Sequence, residues 1–342
     1  MKTLYLLLFN LIAINSYTAD NVNFLDYAFA KANCEPPHAI ISKQLEPPSK
    51  RATPTIRVAL LLDTSNSMDG LIDQARSQLW ELVNELSYAR CTDANLPDLQ
   101  IALYEYGNDA LDAREGYMRQ VNSFSSDLDE LSKNLYALTT NGGNEYCGYV
   151  LQSSLQQLDW GNNSEDLNLI FIAGNEPFDQ GPVAYTTVSE KACANKVTIN
   201  TIFCGNYNLG VQSHWKDGAS LTSGTYIAIN SDKSTVHLAS PYDAELLQKN
   251  KALNNTYVGY GALAESKMQL QATQDKNAAS KGDAGAVKRV ISKTSRFYNN
   301  STWDLVDAIG ENEEVLEEIS TTDLPASLRG KTNAQRKAFL AT

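Results

Sequence analysis

Segments rich in apolar residues constrain the fold of this chain more than any other feature, above all the continuous apolar run 56–63, which ends in Asp63. Four such segments have the length of strands buried on both faces, as in a parallel sheet: 56–63, 99–107, 167–174 and 197–205. Shorter strands are predicted at 115–121 and 224–230. Segments between the strands space their apolar residues as amphipathic helices do: 71–86, 128–138, 146–158 and 183–195. This alternation predicts an α/β fold, a Rossmann-like and mainly parallel sheet with helices on both faces.

The domain organisation follows from changes in composition along the 342 residues. Residues 20–54 are rich in Pro and polar side chains and are predicted to form an extended arm. The strand and helix alternation then occupies 55–230 as one domain. Residues 231–342 are polar and have helical spacing, so a helical C-terminal extension is expected.

The N-terminus has the features of a secretory signal peptide. Lys2 is followed by an apolar run from Leu4 to Ile14 and then by small or polar residues, which indicates a signal peptide over 1–19 and cleavage between Ser16 and Asp20. The run is about half as long as the roughly 20 residues that span a bilayer, and no later segment is long and apolar enough. We therefore expect a secreted or periplasmic protein without a membrane span.

Charge and motif content exclude several classes of function. The chain has 28 Lys and Arg against 40 Asp and Glu, a net charge of −12, which disfavours nucleic-acid binding because phosphates would be repelled. The three histidines lack zinc-site spacing. Neither G-x-G-x-x-G nor a P-loop motif is present, so neither a dinucleotide nor a nucleoside triphosphate is indicated.

Five cysteines are compatible with one or two disulfides in an oxidising compartment: Cys34, Cys91, Cys147, Cys193 and Cys204. The sequence does not fix their pairing. We expect Cys193 to pair with Cys204, because a helix followed by the next strand brings those positions near each other.

The loop after the first strand has the pattern of a metal site. It contains Asp63, Ser65 and Ser67, the pattern D-x-S-x-S, and in a tight loop these side chains can converge on one point. A carboxylate and two hydroxyls are hard oxygen ligands, so we predict a divalent cation, Mg²⁺ first, with Ca²⁺ and Mn²⁺ as alternatives. The competing interpretation is that these residues only cap the following helix.

With this loop, the chain resembles the von Willebrand factor type A (VWA) domain and its metal-ion-dependent adhesion site over about residues 55–230. It also resembles bacterial secreted VWA proteins in two segments, TNGGNEYCG (140–148) and IFIAGNEPF (170–178). The resemblance implies one antiparallel edge strand in the sheet and a divalent cation at its top. It further implies a role in binding rather than catalysis.

Two positions depart from the family pattern. Glu145 stands where the family's second loop usually supplies Thr, and Gly174 stands where the third strand usually ends in Asp. Asn175 or Glu176 could replace that Asp if the loop bends inward. The predicted metal ligands are Asp63, Ser65, Ser67, Glu145 and Glu176. The alternatives are that Glu145 is an exposed residue favoured by the helix dipole and Glu176 a solvated turn residue.

A direct glutamate ligand has a consequence for binding. It would partly neutralise the cation, so we hypothesise tighter metal retention and a weaker requirement for an acidic partner. The function predicted from the sequence is an exported, metal-dependent module that binds a protein partner and is not an enzyme. The alternatives are a metal-assisted hydrolase, a chelatase-like subunit of an enzyme complex, or a metal-free structural domain.

Overall fold

The computed structural model describes residues 53–87, 97–229 and 240–341 in two compact units. The first unit takes its described residues from Met1–Gln78, Tyr88–Ser126 and Asn134–Thr235. The second takes them from Leu79–Ser87, Asp127–Lys133 and Val236–Thr342. The predicted signal peptide (1–19), nearly all of the predicted arm (20–54) and the predicted boundary at 230 lie outside the described residues.

The first unit is built on a six-stranded sheet in the order β3-β2-β1-β4-β5-β6. All neighbouring strands are parallel except β3, which runs antiparallel to β2 at one edge. The α/β fold class and the antiparallel edge strand are therefore confirmed. The strands are β1 (Thr55–Asp63), β2 (Asp98–Tyr106), β3 (Met118–Ser125), β4 (Leu167–Gly174), β5 (Val197–Cys204) and β6 (Tyr226–Ile229).

The central strand β1 shows why the apolar segments form this sheet. Ala59 and Leu61 belong to one apolar cluster, and Leu60 and Leu62, which alternate with them, are also buried. Because successive side chains of a strand point to opposite faces, the sheet is covered on both faces. A strand that is apolar at consecutive positions fits this arrangement.

The described part of the chain contains twelve α-helices, six of them before residue 230 and six after it. Those before residue 230 are α1 (Asp69–Ser87), α2 (Leu128–Ala137), α3 (Cys147–Gln157), α4 (Tyr185–Ala194), α5 (Tyr207–Gln212) and α6 (Trp215–Ser220). The later ones are α7 (Asp243–Asn254), α8 (Ala264–Ser280), α9 (Asp283–Ser292), α10 (Leu305–Glu311), α11 (Val315–Glu318) and α12 (Asn333–Leu340). None of the described helices is both long enough and apolar enough to cross a bilayer.

Two local features differ from the sequence prediction. The edge strand β3 begins at Met118 rather than at residue 115, because Ala113–Glu115 form a 3-10 turn that ends in left-handed Gly116. The short helices α5 and α6 were not predicted. Each has only six residues, too few for a periodic pattern to stand out.

The expected disulfide between Cys193 and Cys204 is wrong. Cys147, Cys193 and Cys204 are all free thiols in the structure. Cys193 lies near the end of α4, before β5 begins, whereas Cys204 is the last residue of β5. At about 3.3 Å per residue, the length of β5 separates the two positions by roughly 20 Å, far beyond disulfide reach.

The second unit contains the predicted helical C-terminal extension. Its apolar core includes Leu305, Leu316, Leu324 and Leu328. It also buries a charged cluster centred on Arg289 of α9.

The Arg289 guanidinium lies 2.8 Å from Asp129 Oδ1 and 2.6 Å from Asp275 Oδ1, and 4.5 Å from the Trp80 ring centroid. Lys293 Nζ contacts Asp275 Oδ2 at 2.8 Å. Two buried cations thus face two carboxylates, as the cost of burying charge requires.

Candidate metal centre

The D-x-S-x-S loop leaves the sheet at the end of β1 and folds back on itself. Asp63 is the last residue of the strand, and its Oδ1 accepts a hydrogen bond from the backbone N–H of Ser65 at 2.7 Å. The Ser65 and Ser67 hydroxyls lie 3.1 Å apart, and Ser65 precedes the 3-10 turn Asn66–Met68 without a side-chain cap. The three side chains of the motif therefore gather at one point.

A second loop, residues 139–146, is attached to the first by backbone hydrogen bonds. Asn141 N–H donates to the Thr64 carbonyl at 2.9 Å, and Asn66 N–H donates to the Gly142 carbonyl at 3.1 Å. Gly142 has φ +87°, and a Cβ there would come within 2.3 Å of Asp109, so the turn requires glycine. This attachment brings Glu145, two residues before α3, beside the D-x-S-x-S loop.

The carboxyl groups of Asp63 and Glu145 lie together at the centre of the site. A Cβ built on Gly107 would come within 2.6 Å of Asp63 Oδ1 and 2.7 Å of Glu145 Cγ, so both side chains pack against this glycine. Asp63 is 0% exposed and Glu145 is 2% exposed. Within the described part of the chain, Asp63 Oδ2 and Glu145 Oε2 are buried without a hydrogen-bond donor.

The electrostatics follow from two buried acids in contact. Burial raises the pKa of Asp63 well above its usual range, and the adjacent Glu145 carboxyl raises it further. Burial also raises the pKa of Glu145, although hydrogen bonds from Asp63 and Ser65 act in the opposite direction. In the absence of a cation, the pair is therefore expected to retain a proton between its two carboxyl groups.

The third loop follows β4, which ends at Gly174. A Cβ at this position would lie 2.5 Å from the Tyr106 hydroxyl and 3.2 Å from Asp63 Oδ2. The Tyr106 hydroxyl instead donates to the Ala173 carbonyl at 2.9 Å. The side-chain space that an Asp would need at residue 174 is thus taken by Tyr106.

The residues after Gly174 contact the site in different ways. Asn175 Nδ2 donates to Ser67 Oγ at 3.1 Å, which links the third loop to the first. The backbone N–H of Glu176 favours the ionised form of Glu145, whereas the negative charge of Glu176 raises the pKa of Glu145. The Glu176 side chain itself is partly exposed at the rim.

Of the five predicted ligands, four converge and one lies at the edge. Asp63, Ser65, Ser67 and Glu145 form the cluster, and the burial of Glu145 does not fit an exposed first-turn residue. Glu176 reaches the cluster through its backbone. Whether any of them binds a metal stays a prediction.

The donor set fits a hard dication. Among the residues that the structure describes, no three His, Cys, Asp or Glu side chains form a metal-binding group, so the two carboxylates would need the serine hydroxyls to complete a set. Oxygen ligands of this kind suit Mg²⁺, Ca²⁺ or Mn²⁺. A cation between the two carboxyl groups would also satisfy both unpaired oxygens.

Sequence reasoning missed two residues of this site and gave a third only as an alternative ligand. Gly107 directly follows β2 with φ +78° and leaves room for the acid pair. Tyr106 fills the place of the missing Asp, and Asn175 was only an alternative ligand. A glycine directly after a buried strand is the one signal that could have indicated Gly107.

Comparison with known proteins gives similarities of structure only. No protein-family model matches the chain, and no curated protein matches its sequence. Among solved structures, it is similar to proximal thread matrix protein 1 from the mussel byssus with a zinc-occupied MIDAS motif (13% identity, TM-score 0.39, 53% of this chain and 43% of that one). It is also similar to the conserved hypothetical protein BatB from Bacteroides thetaiotaomicron (11% identity, TM-score 0.39, 65% and 99%).

A further similar structure is the SpRpn10 VWA domain, with 17% identity and a TM-score of 0.36 over 51% of this chain and 88% of that one. The chain thus spans less than half the length of the mussel protein. At these identities the likeness concerns the fold alone. Of the three structures, the SpRpn10 structure is described as a VWA domain.

Proposed function

We propose that this protein is an exported module that binds protein partners through a surface organised by a divalent cation at the carboxyl edge of the sheet, the edge at which the parallel strands end. The carboxyl edge is where open α/β sheets bind their ligands. One observation carries the proposal: Asp63 and Glu145 each bury an oxygen that no described donor satisfies. Such a pair is costly unless a proton or a cation lies between them.

The predicted ligands would contribute to ion binding in different ways. Asp63 and Glu145 supply the negative charge, and Ser65 and Ser67 supply neutral oxygens. The backbone hydrogen bonds between the first two loops hold these groups in place before the ion binds. When bound, the cation supplies positive charge that neutralises the buried carboxylates and joins the loops into one rigid surface.

The cysteines near the acid pair favour a role in binding rather than catalysis. Two thiols lie within electrostatic range of the acid pair, but burial raises the pKa of Cys147 and of Cys204 above that of a free thiol. A thiol that stays protonated is a poor nucleophile. We therefore expect no Mg²⁺-dependent turnover of generic ester, phosphate or peptide substrates, with EDTA-treated protein as the reference.

Calorimetric titration of Mg²⁺ tests the metal site. The wild-type protein is expected to bind, and Asp63→Asn and Glu145→Thr are each expected to lose affinity by at least about tenfold, since even residues that only support a ligand typically cost that much. Glu165→Gln, an exposed change near the opposite edge, serves as the control. Tighter Mg²⁺ binding by Glu145→Thr would show that Glu145 is not a ligand.

Export is tested separately. The full chain, expressed in a bacterial host, is expected to be recovered from the periplasm or medium with its N-terminus removed between Ser16 and Asp20. Intact mass spectrometry measures this directly. A full-length product confined to the cytoplasm would contradict the proposed localisation.

A further inference from the structure

The carboxyl edge is strongly acidic. We call the five loops at this edge the edge loops: 63–69, 107–117, 139–146, 175–184 and 205–214. They contain one basic residue, Arg114, and eight acidic ones, a net charge of −7 with His214 neutral. The acidic residues are Asp63, Asp69, Asp109, Asp112, Glu115, Glu145, Glu176 and Asp179.

Among the residues that the structure describes, the exposed charges of this set have few basic partners. Arg114 is already paired with Asp112, at 2.6 Å between Nη2 and Oδ2. Asp179 is more than half exposed and lies 3.9 Å from His214, and Glu115 is exposed. The edge therefore presents a negative potential to an approaching partner.

A bound dication does not reverse this potential. Asp63 and Glu145 are 0% and 2% exposed, and their unpaired oxygens are buried. Their two charges balance a dication before a partner arrives. With the ion bound, the edge loops still carry −5, so a carboxylate from a partner would meet net repulsion.

An exposed apolar helix lies beside the acidic loops. On α5, Tyr207, Leu209 and Val211 are 49%, 54% and 38% exposed. The chain that follows α5 is attached to the loop after β4, since Phe178 N–H donates to the Ser213 carbonyl at 2.9 Å and Trp215 Nε1 donates to the Glu176 carbonyl at 2.7 Å. This attachment places α5 beside the loop that carries Glu176 and Asp179.

From this combination we propose that the carboxyl edge docks a basic segment of a protein partner that also carries apolar residues. Basic side chains would face the edge loops, and apolar ones would cover α5. The cation would organise the surface without taking a carboxylate from the partner. This inference rests on the proposed function and specifies the chemistry of its partner.

Two labelled peptides of equal length test the inference, one built of Lys and Leu and the other of Glu and Leu. Fluorescence anisotropy is measured with the full chain in saturating Mg²⁺ and, separately, in EDTA. The Lys/Leu peptide is expected to bind in Mg²⁺, more weakly as NaCl is raised. The Glu/Leu peptide is expected not to bind.

Variants locate the binding surface. The double change Glu115→Gln and Asp179→Asn removes two exposed edge charges that are not predicted ligands, and is expected to weaken Lys/Leu binding by about threefold or more. The control Glu165→Gln with Glu190→Gln removes the same charge from exposed positions outside the edge loops and should leave binding unchanged. Leu209→Ser, a single apolar change on α5, should also weaken binding.

The outcomes separate this inference from the proposed function. Stronger binding of the Glu/Leu peptide in Mg²⁺, binding of neither peptide, or equal loss in the edge and control variants overturns the basic-partner inference. These results leave the calorimetric Mg²⁺ titration to decide on the metal. Conversely, Lys/Leu binding that is identical in EDTA, with no calorimetric heat for Mg²⁺, contradicts the metal dependence but retains the charge preference.

Discussion

Replacing Gly107 by Ala perturbs the acid pair without removing either acid. Gly107 has φ +78°, and the added methyl would lie 2.6 Å from Asp63 Oδ1 and 2.7 Å from Glu145 Cγ. Van der Waals contact between carbon atoms is at about 3.5–4.0 Å, so both side chains must move or the backbone must shift. The substitution therefore tests whether these two groups need their observed positions.

Two free-energy costs add in the Gly107→Ala protein. A left-handed backbone at a residue other than glycine costs about 1–2 kcal/mol. Overpacking of a buried site costs a further 1–3 kcal/mol or so. The free energy of unfolding should then fall by about 2–5 kcal/mol, and Mg²⁺ binding should be lost because the carboxyl groups are pushed apart.

Urea unfolding and calorimetry measure the two effects, with two control variants. Gly330→Ala has a similar φ of +75° and no atom within 4 Å of its Cβ, so it should lose only the backbone cost and bind Mg²⁺ normally. Gly143→Ala adds a methyl to the site loop in open space and should change neither quantity. If Gly107→Ala bound Mg²⁺ like wild type and lost no more stability than Gly330→Ala, the packing described around Asp63 and Glu145 would be incorrect.

Three other perturbations have defined outcomes. The pKa of Asp63 and of Glu145 is raised, so above the ordinary carboxyl range the folded metal-free protein still binds a proton that the unfolded chain has released. The free energy of unfolding in urea should therefore fall as the pH rises above that range and be greater below it. Saturating Mg²⁺ should remove that fall. An unchanged dependence of the unfolding free energy on pH would contradict a metal site shared by Asp63 and Glu145. Asp275→Asn leaves Arg289 with one fewer buried carboxylate and should destabilise the second unit by roughly 3 kcal/mol, whereas the exposed change Glu265→Gln should cost less than about 0.5 kcal/mol. Mg²⁺ affinity should rise with pH, because binding of the ion releases a proton from the site. Calorimetric titration in buffers of different ionisation enthalpy measures the number of protons released. A Mg²⁺ affinity that does not change with pH would refute the raised pKa values.

Most of the sheet was predictable from the sequence because its interior strands are buried on both faces. That environment favours apolar residues at consecutive positions, and the segments that became β1 and β4 have them, whereas β5 also buries Thr198, Asn200 and Thr201. The start of β3 was misplaced because an edge strand is only partly buried and a turn precedes it. The inclusion of Leu79–Ser87 and Asp127–Lys133 in the second unit depends on long-range contacts that no local pattern encodes.

The site was only partly predictable, for a related reason. The D-x-S-x-S spacing and the strand before it are local, and the position of Glu145 follows from counting back from α3. The side chain that occupies the space beside Gly174 could not be predicted from a local pattern, because Tyr106 comes from a different strand. The same holds for Gly107, whose missing side chain matters only once Asp63 and Glu145 pack against it.

The central claim is that Asp63 and Glu145 share one divalent cation with serine hydroxyls at the carboxyl edge. Crystals of the protein soaked in Mn²⁺ and measured at the manganese absorption edge test it most directly. We predict a single anomalous peak at this edge, bonded at roughly 2.0–2.4 Å to oxygens of Asp63, Glu145 and at least one of Ser65 and Ser67. No peak there, with the two carboxyl groups hydrogen-bonded to each other at saturating Mn²⁺ and neutral pH, would contradict the account.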